Sequence, residues 1–183
     1  DEQDEIKEIE VGAVVLSTGF EEFNPQLTTQ YGYQRYTNVV TSIELERMLS
    51  PSGPWQGKLV RLSDGKPPRS IAFLQCVGCR EIARNYCSSA CCMYAIKEAI
   101  LAKEANPALD VTIFYMDIRA FGKGNYRYYL EAKDKYGVNF IQSRVPVLKE
   151  EPQTGDILVI AKAEDRKPVK RQFELVVLSI GQV

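Results

Sequence analysis

Residues 70–93 read Ser70-Ile-Ala-Phe-Leu-Gln-Cys76-Val-Gly-Cys79-Arg-Glu-Ile-Ala-Arg-Asn-Tyr-Cys87-Ser-Ser-Ala-Cys91-Cys92-Met93. Residues 70–76 form a short apolar run of strand length. From residue 93 to 105 the chain is rich in Ala, Lys and Glu, with Ile96, Ala99 and Ile100 on one helical face, and Asn106-Pro107 stops it. Between strand and helix lie all five cysteines of a 183-residue chain that has no histidine. Buried structural cysteines are scattered as a rule, so five in one short segment call for a local cause: metal or cluster ligation, or redox disulfides.

Working outward, residues 111–116 (Val-Thr-Ile-Phe-Tyr-Met) read as a second buried strand. Residues 126–136 form a second helix with Gly137 as its C-cap, and residues 138–141 a third strand. Strand–helix–strand–helix–strand with short connections predicts a parallel sheet. After Ser143 the pattern turns to β. Runs at 145–149, 157–163 and 171–174, with turns at 153–156 and 165–168, predict a meander, and the apolar run 175–180 a last buried strand ending at Gly181. The expected fold class is α/β, a Rossmann-like three-layer domain with a central parallel sheet and a β-meander.

On the N-terminal side, residues 11–17 (Val-Gly-Ala-Val-Val-Leu-Ser) read as a buried strand broken by Thr18-Gly19-Phe20. The acidic lead-in before it makes a poor domain start and suggests a segment of a longer chain. Residues 21–38 are loop-like. Thr41-Ser-Ile-Glu44 fits a capping box opening a helix to about Leu49, which Pro51, Gly53 and Pro54 end. A short strand is expected at 59–62 and a turn at 64–68. The chain therefore divides into a strand and junction over 1–20, a connecting segment over 21–69 and the Rossmann-like domain with its meander and return strand over 70–183. One echo is visible: Val14-Val-Leu-Ser-Thr-Gly19 and Val176-Val-Leu-Ser-Ile-Gly181 both end a strand in Ser-X-Gly.

The formal net charge of −1 provides no basic footprint for nucleic acid, and no apolar run is long enough to span a bilayer. The start lacks the basic and apolar regions of a signal peptide, so a cytoplasmic protein without direct membrane insertion is expected. Clustered cysteines in a reducing compartment favour a metal or redox role over a disulfide framework. Without histidine there is no Ser-His-Asp or Cys-His catalysis and no histidine ligand.

In a dinucleotide fold the ligand sits outside the carboxyl end of the first strand, over a Gly-x-Gly-x-x-Gly loop. Here cysteines stand in that position, and no such fingerprint follows. An NAD(P)H-binding domain is thereby disfavoured, although Asp117 falls where a ribose-binding acid would. Gly122-Lys123-Gly124 reads either as an anion cradle or as a flexible lead-in to a helix. Two thiolate sets are open from spacing. Cys76, Cys79, Cys87 and Cys91 would suit zinc. Cys76, Cys87, Cys91 and Cys92 use the adjacent pair. Cys91 and Cys92 stand near a helix start, where the dipole favours thiolate.

Four segments carry a resemblance to a known family: Phe73-Leu-Gln-Cys-Val-Gly78, Tyr86-Cys-Ser-Ser-Ala-Cys-Cys-Met-Tyr-Ala-Ile-Lys-Glu98, Phe114-Tyr-Met-Asp-Ile-Arg-Ala-Phe-Gly-Lys-Gly124 and Ser63-Asp-Gly-Lys66. They resemble the A subunit of heterodisulfide reductase and the related flavoprotein of the quinone-interacting membrane-bound oxidoreductase complex, nearly end to end. The resemblance implies an FAD-containing iron–sulfur oxidoreductase with a thioredoxin-reductase-like core, of which this chain is the inserted second domain. Cys76, Cys87, Cys91 and Cys92 would hold a [4Fe–4S] cluster near the flavin. Cys79 departs from the family pattern and stands as an alternative ligand. Thr18, Gly19 and Gly181 would lie at the junctions with the FAD-binding domain, close to the flavin. FAD belongs to the parent and is not expected in this segment, which is inactive alone and carries no catalytic residue. The implied partners are other subunits of such redox complexes. The competing expectation is a zinc- or disulfide-stabilised scaffold domain without redox role.

Overall fold

The structure is a computed structural model of the chain and describes residues 3–162 and 168–183. Its centre is a five-stranded, all-parallel sheet in the order β1-β8-β2-β3-β4. The strands are β1 (Val39–Thr41), β2 (Ser70–Val77), β3 (Asp110–Tyr115), β4 (Asn139–Gln142) and β8 (Leu175–Ile180). The helices are α1 (Ser42–Leu49), α2 (Cys91–Ala105) and α3 (Asn125–Asp134). A separate antiparallel sheet holds β5 (Val147–Glu150), β6 (Ile157–Lys162) and β7 (Pro168–Phe173).

The three layers follow from the two-residue period of the central strands. Ile71 and Phe73 of β2, Val111 and Ile113 of β3, and Leu175 and Val177 of β8 pack with the helices. Ala72 and Leu74, Phe114, and Val176, Leu178 and Ile180 face the other way, onto Val159, Ala161 and Phe173 of the meander. A strand covered on both faces has no polar side to show, and this is why β2 and β8 are nearly continuous apolar runs.

The helices start and stop on local chemistry. The Thr41 hydroxyl accepts from the Glu44 N–H at 3.3 Å, and the Glu44 carboxylate accepts from the Thr41 N–H at 2.7 Å, completing the expected capping box of α1. At the far end of α2, Lys103 Nζ donates to the carbonyls of Pro107 and Leu109 at 2.7 and 2.9 Å. The expected helix–sheet alternation is present throughout, with α2 beginning at Cys91 rather than at Met93.

Three features differ from the sequence expectation. Residues 11–17 are not a strand: the segment carries no regular structure, and Val14, Val15 and Leu16 are largely exposed. An apolar run specifies a need for burial but not a partner, and the sheet ends at β1 on that side. Residues 59–62 are also not a strand, because Arg61 N donates to the Lys66 carbonyl in a local turn. Conversely, the segment 21–69 supplies β1, whose Val39 and Val40 pair in parallel with Val176 and Val177. Three residues are too few to announce a strand by periodicity. The expected turn residues 165–167 lie outside the described residues.

The segment just after the exposed N-terminal stretch runs beside the segment that follows β8. Phe23 N donates to the Gly181 carbonyl and Val183 N to the Glu21 carbonyl, both at 2.9 Å, so residues 21–23 and 181–183 pair antiparallel.

Candidate metal centre

The centre grows out of an irregularity at the carboxyl end of β2. The pairing of β2 with β8 shifts register between Leu74 and Val77, and Cys76 inside that bulge takes a φ of +63°. A non-glycine residue in the left-handed region is costly by about 1 kcal/mol or more, and such residues gather at functional sites. Gly78 follows at φ +77°, and a side chain there would overlap the ring of Phe23. The chain then folds into a tight hairpin, with Arg80 N bonded to the Tyr86 carbonyl at 3.0 Å and Glu81 bridged to Arg84. It enters α2 through Ala90, which provides no side-chain cap. The positive end of the helix dipole therefore falls at Cys91 and Cys92, the first two residues of α2.

Cys76, Cys79, Cys91 and Cys92 are all buried, and all five cysteines are free thiols. Four of them form one contact group. The Cys79 thiol interacts with those of Cys76 and Cys91, and Cys91 in turn with Cys92. Accepting from Cys76 and Cys91, with further help from Ser88, holds the Cys79 thiol well below its ordinary pKa despite burial. The donors Cys76 and Cys91 are pushed up, first by those bonds and then by burial. Cys92 is lowered by Cys91, by the Arg119 backbone and by the charges of Arg80 and Arg119. Cys87 stands apart on the loop, half-buried, with its sulfur accepting from Ser89 N at 3.4 Å.

The structure thus brings together Cys76, Cys91 and Cys92 of the expected ligands, and adds Cys79 where Cys87 was expected. Among the described residues, no three Cys, Asp or Glu side chains already stand at metal-ligand geometry. The donor chemistry nevertheless suits a thiolate-held group. Four thiols are buried near one another, a fifth lies on the adjoining loop, and two arginines favour negative charge there.

The flanking residues find structural roles. Asp117 is ion-paired to Arg80, and Arg119 Nε lies 3.1 Å from its other oxygen, so it holds the two arginines beside Cys92. Gly124, at φ +87°, is simply the N-cap of α3, and no side chain caps that helix. Gly181 is close-packed: a Cβ there would lie 3.1 Å from both Cys79 Cβ and Ser88 Oγ. Thr18 and Gly19 sit in the exposed N-terminal segment, with open space around the Gly19 Cβ position. Replacing Gly181 by Ala is expected to displace Cys79 and to cost about 1–3 kcal/mol, read from urea unfolding. An unchanged midpoint would show that the contact yields without cost.

Sequence reasoning missed Ser88, Arg80 and Arg119. Ser88 Oγ accepts from Gln182 N at 2.8 Å and supports Cys79, yet Cys87-Ser88-Ser89 offers no sign that one serine is special. The arginines had a weak signal: Arg80 directly follows Cys79 and Arg119 follows the β3 end.

Comparison with known proteins places the architecture and then the family. Of solved structures, a 2-naphthoyl-CoA reductase complex superposes with a TM-score of 0.54 at 14% identity, covering 91% of this chain and 19% of that one. At that identity the likeness is one of fold: the class is a Rossmann-like α/β domain, here with a thiol group at the turn between β2 and α2. No family model matches the chain. Curated relatives match throughout. The iron-sulfur A subunit of a CoB–CoM heterodisulfide reductase from Methanopyrus kandleri is 48% identical over 188 aligned residues, covering 100% of this chain. The A subunit of the H(2):CoB-CoM heterodisulfide,ferredoxin reductase from Methanothermobacter thermautotrophicus is 43% identical over the same span. Its counterpart in the CoB–CoM heterodisulfide reductase of Methanocaldococcus jannaschii is 43% identical over 99% of the chain. The chain belongs to the family of heterodisulfide reductase A subunits, and it spans 28% of the length of these relatives. No helix among the described residues is long and apolar enough to cross a membrane.

Proposed function

We propose that this chain is the cysteine-cluster domain of an iron–sulfur flavoprotein oxidoreductase, and that it relays electrons between a flavin and further redox centres. The observation that carries the reading is the buried contact group of Cys76, Cys79, Cys91 and Cys92 at the uncapped start of α2. Nucleotide phosphates occupy that position in dinucleotide folds. Here thiolates replace the glycine loop, so the site offers soft donors instead of phosphate-binding amides.

The ligand set is Cys76, Cys87, Cys91 and Cys92, with Cys79 as the alternative fourth donor. A [4Fe–4S] cluster bound there supplies one-electron transfer. The chain's own residues do the rest. The α2 N-terminus, Arg80 and Arg119 favour thiolate at Cys92 and offset negative charge. The apolar walls of β2 and α2 exclude water from one side of the thiols. FAD is a property of the parent and is not held tightly by this segment alone. The segments 21–23 and 181–183 pair with each other, and this close approach suits insertion of the α/β domain into a larger flavin-binding unit. The partners are other subunits of a heterodisulfide-reductase-like or quinone-interacting complex, in the cytoplasm.

Iron and acid-labile sulfide analysis, with an absorption spectrum after anaerobic reconstitution, tests this reading. About four irons with matching sulfide per chain are expected. Zinc, or no metal under conditions that rebuild other clusters, would leave a scaffold domain instead. The fourth ligand is tested by a pair of variants. C87S is expected to lose most of the iron and C79S to retain it; the reverse result assigns the bond to Cys79.

A further inference from the structure

A second site lies between α1, α2 and the end of β8, and none of the five cysteines lines it. Cys91, Tyr94 and Glu98 fall at i, i+3 and i+7 on α2, a single stripe. The lower end of that stripe opens into a cavity of about 180 Å³ between α1, α2 and the end of β8, walled by Phe20, Ile43 and Ile180 and by Glu22, Glu46 and Glu98. Glu98 is 1% exposed, and its Oε2 is buried without any hydrogen-bond partner. Such an orphan costs free energy unless something completes it.

The polar groups around the cavity are unevenly disposed. Its hydroxyl donors are spent inside the fold: Tyr94 OH donates to the Ile180 carbonyl at 2.7 Å and Ser42 Oγ to the Leu178 carbonyl at 3.2 Å. The remaining polar groups are the Gln182 amide, with two N–H donors, and three carboxylates. The nearby cation, Lys97, is engaged with Glu46 at 2.8 Å and is not part of the wall. Burial, then the Glu46 and Glu22 carboxylates, raise Glu98 to about 9, with Lys97 opposing. Glu22 is itself raised, by burial and by Glu44. The carboxylates reach no metal-ligand geometry among the described residues, which argues against a bare metal ion. The volume equals about six waters at ~30 Å³ each. The fitting occupant therefore has a short alkyl stem, a positive head and several N–H donors.

We infer that this cavity is a binding site for an alkylammonium or guanidinium cation, received by Glu98 with Glu22 and Glu46 and held along its stem by Phe20, Ile43 and Ile180. The cation comes either from a small molecule or from a lysine or arginine side chain of a neighbouring segment or protein. Both sources present the same head group, and the test separates them.

The test is carbon NMR of the chain labelled at the glutamate carboxyls, titrated with n-butylammonium and ethylguanidinium. A saturable shift of the Glu98 carboxyl in the millimolar range is expected, together with a fall in its titration midpoint. Ethylurea, which has the shape without the charge, is expected to give neither. In E98Q, which keeps the shape of the protonated acid and therefore the fold, affinity is expected to drop by about tenfold or more. No saturable shift up to about 100 mM cation, equal binding of ethylurea, or equal affinity in E98Q overturns the proposal. A blocked tripeptide with a central lysine is the second arm. If it binds as the free cation does, the site takes a protein side chain; if it is excluded, the site takes a small molecule.

Discussion

Replacing Cys91 by serine is expected to take the reconstituted chain from about four irons to essentially none. Cys91 is the first residue of α2, 1% exposed, and its thiol interacts with those of Cys79 and Cys92. It is the residue through which the helix and the loop after β2 meet. A serine hydroxyl fits the same space, so the fold is retained, but it is a hard and weakly acidic donor that does not replace a thiolate on iron. The measurement is iron and sulfide per chain in wild type and C91S, with far-ultraviolet circular dichroism to verify equal folding. Full iron in a folded C91S would remove Cys91 from the ligand set, and with it the reading of the α2 start as the centre's anchor.

The second large effect concerns stability and pH. Glu98 is raised in the folded chain from the ordinary 4.5 to about 9, chiefly by burial. The folded state therefore binds this proton more tightly than the unfolded state. Its contribution is fully favourable below about pH 4.5, declines as pH rises, and is lost by about pH 9. At pH 7 the difference, roughly 2.5 pKa units at ~1.4 kcal/mol each, amounts to about 3 kcal/mol. E98Q removes the titration while keeping the neutral shape. It is expected to stabilise the chain by about 3 kcal/mol at pH 7, a rise of roughly 6–12 °C in Tm, and by almost nothing at pH 4. Urea unfolding of both proteins across pH 4–9 checks this. Parallel pH profiles would mean that Glu98 does not titrate between folded and unfolded states, and that the cavity is wetter than its walls imply.

Both effects concern residues whose significance was unequally legible. The cysteine segment declared itself by composition, and the alternation of β2, α2, β3, α3 and β4 by the change between short apolar runs and Ala/Lys/Glu-rich stretches. Thr41 and Glu44 gave the start of α1 because a capping box is a purely local bond pattern. What failed depended on distant partners. Residues 11–17 look like a strand, yet nothing among the described residues pairs with them. Val39 and Val40 carry no strand signal of their own between the loop-like 21–38 and the capping box, yet β8 makes them a strand. The thiol grouping turns on a register shift and the positive φ of Cys76, which no spacing reveals, so spacing left Cys79 and Cys87 unranked and only the family resemblance put Cys87 first. Glu98 follows Lys97 in a helix, the usual look of a solvated pair, and only its place seven residues after Cys91 betrays burial.

The most direct test of the central claim is Mössbauer spectroscopy of the chain reconstituted with iron-57 and sulfide. A single [4Fe–4S] signal with sulfur coordination at every iron is expected, accounting for all bound iron, absent from C91S and unchanged in C79S. Iron in a mononuclear thiolate site, or iron bound equally by wild type and C91S, would contradict an electron-relay cluster at the start of α2.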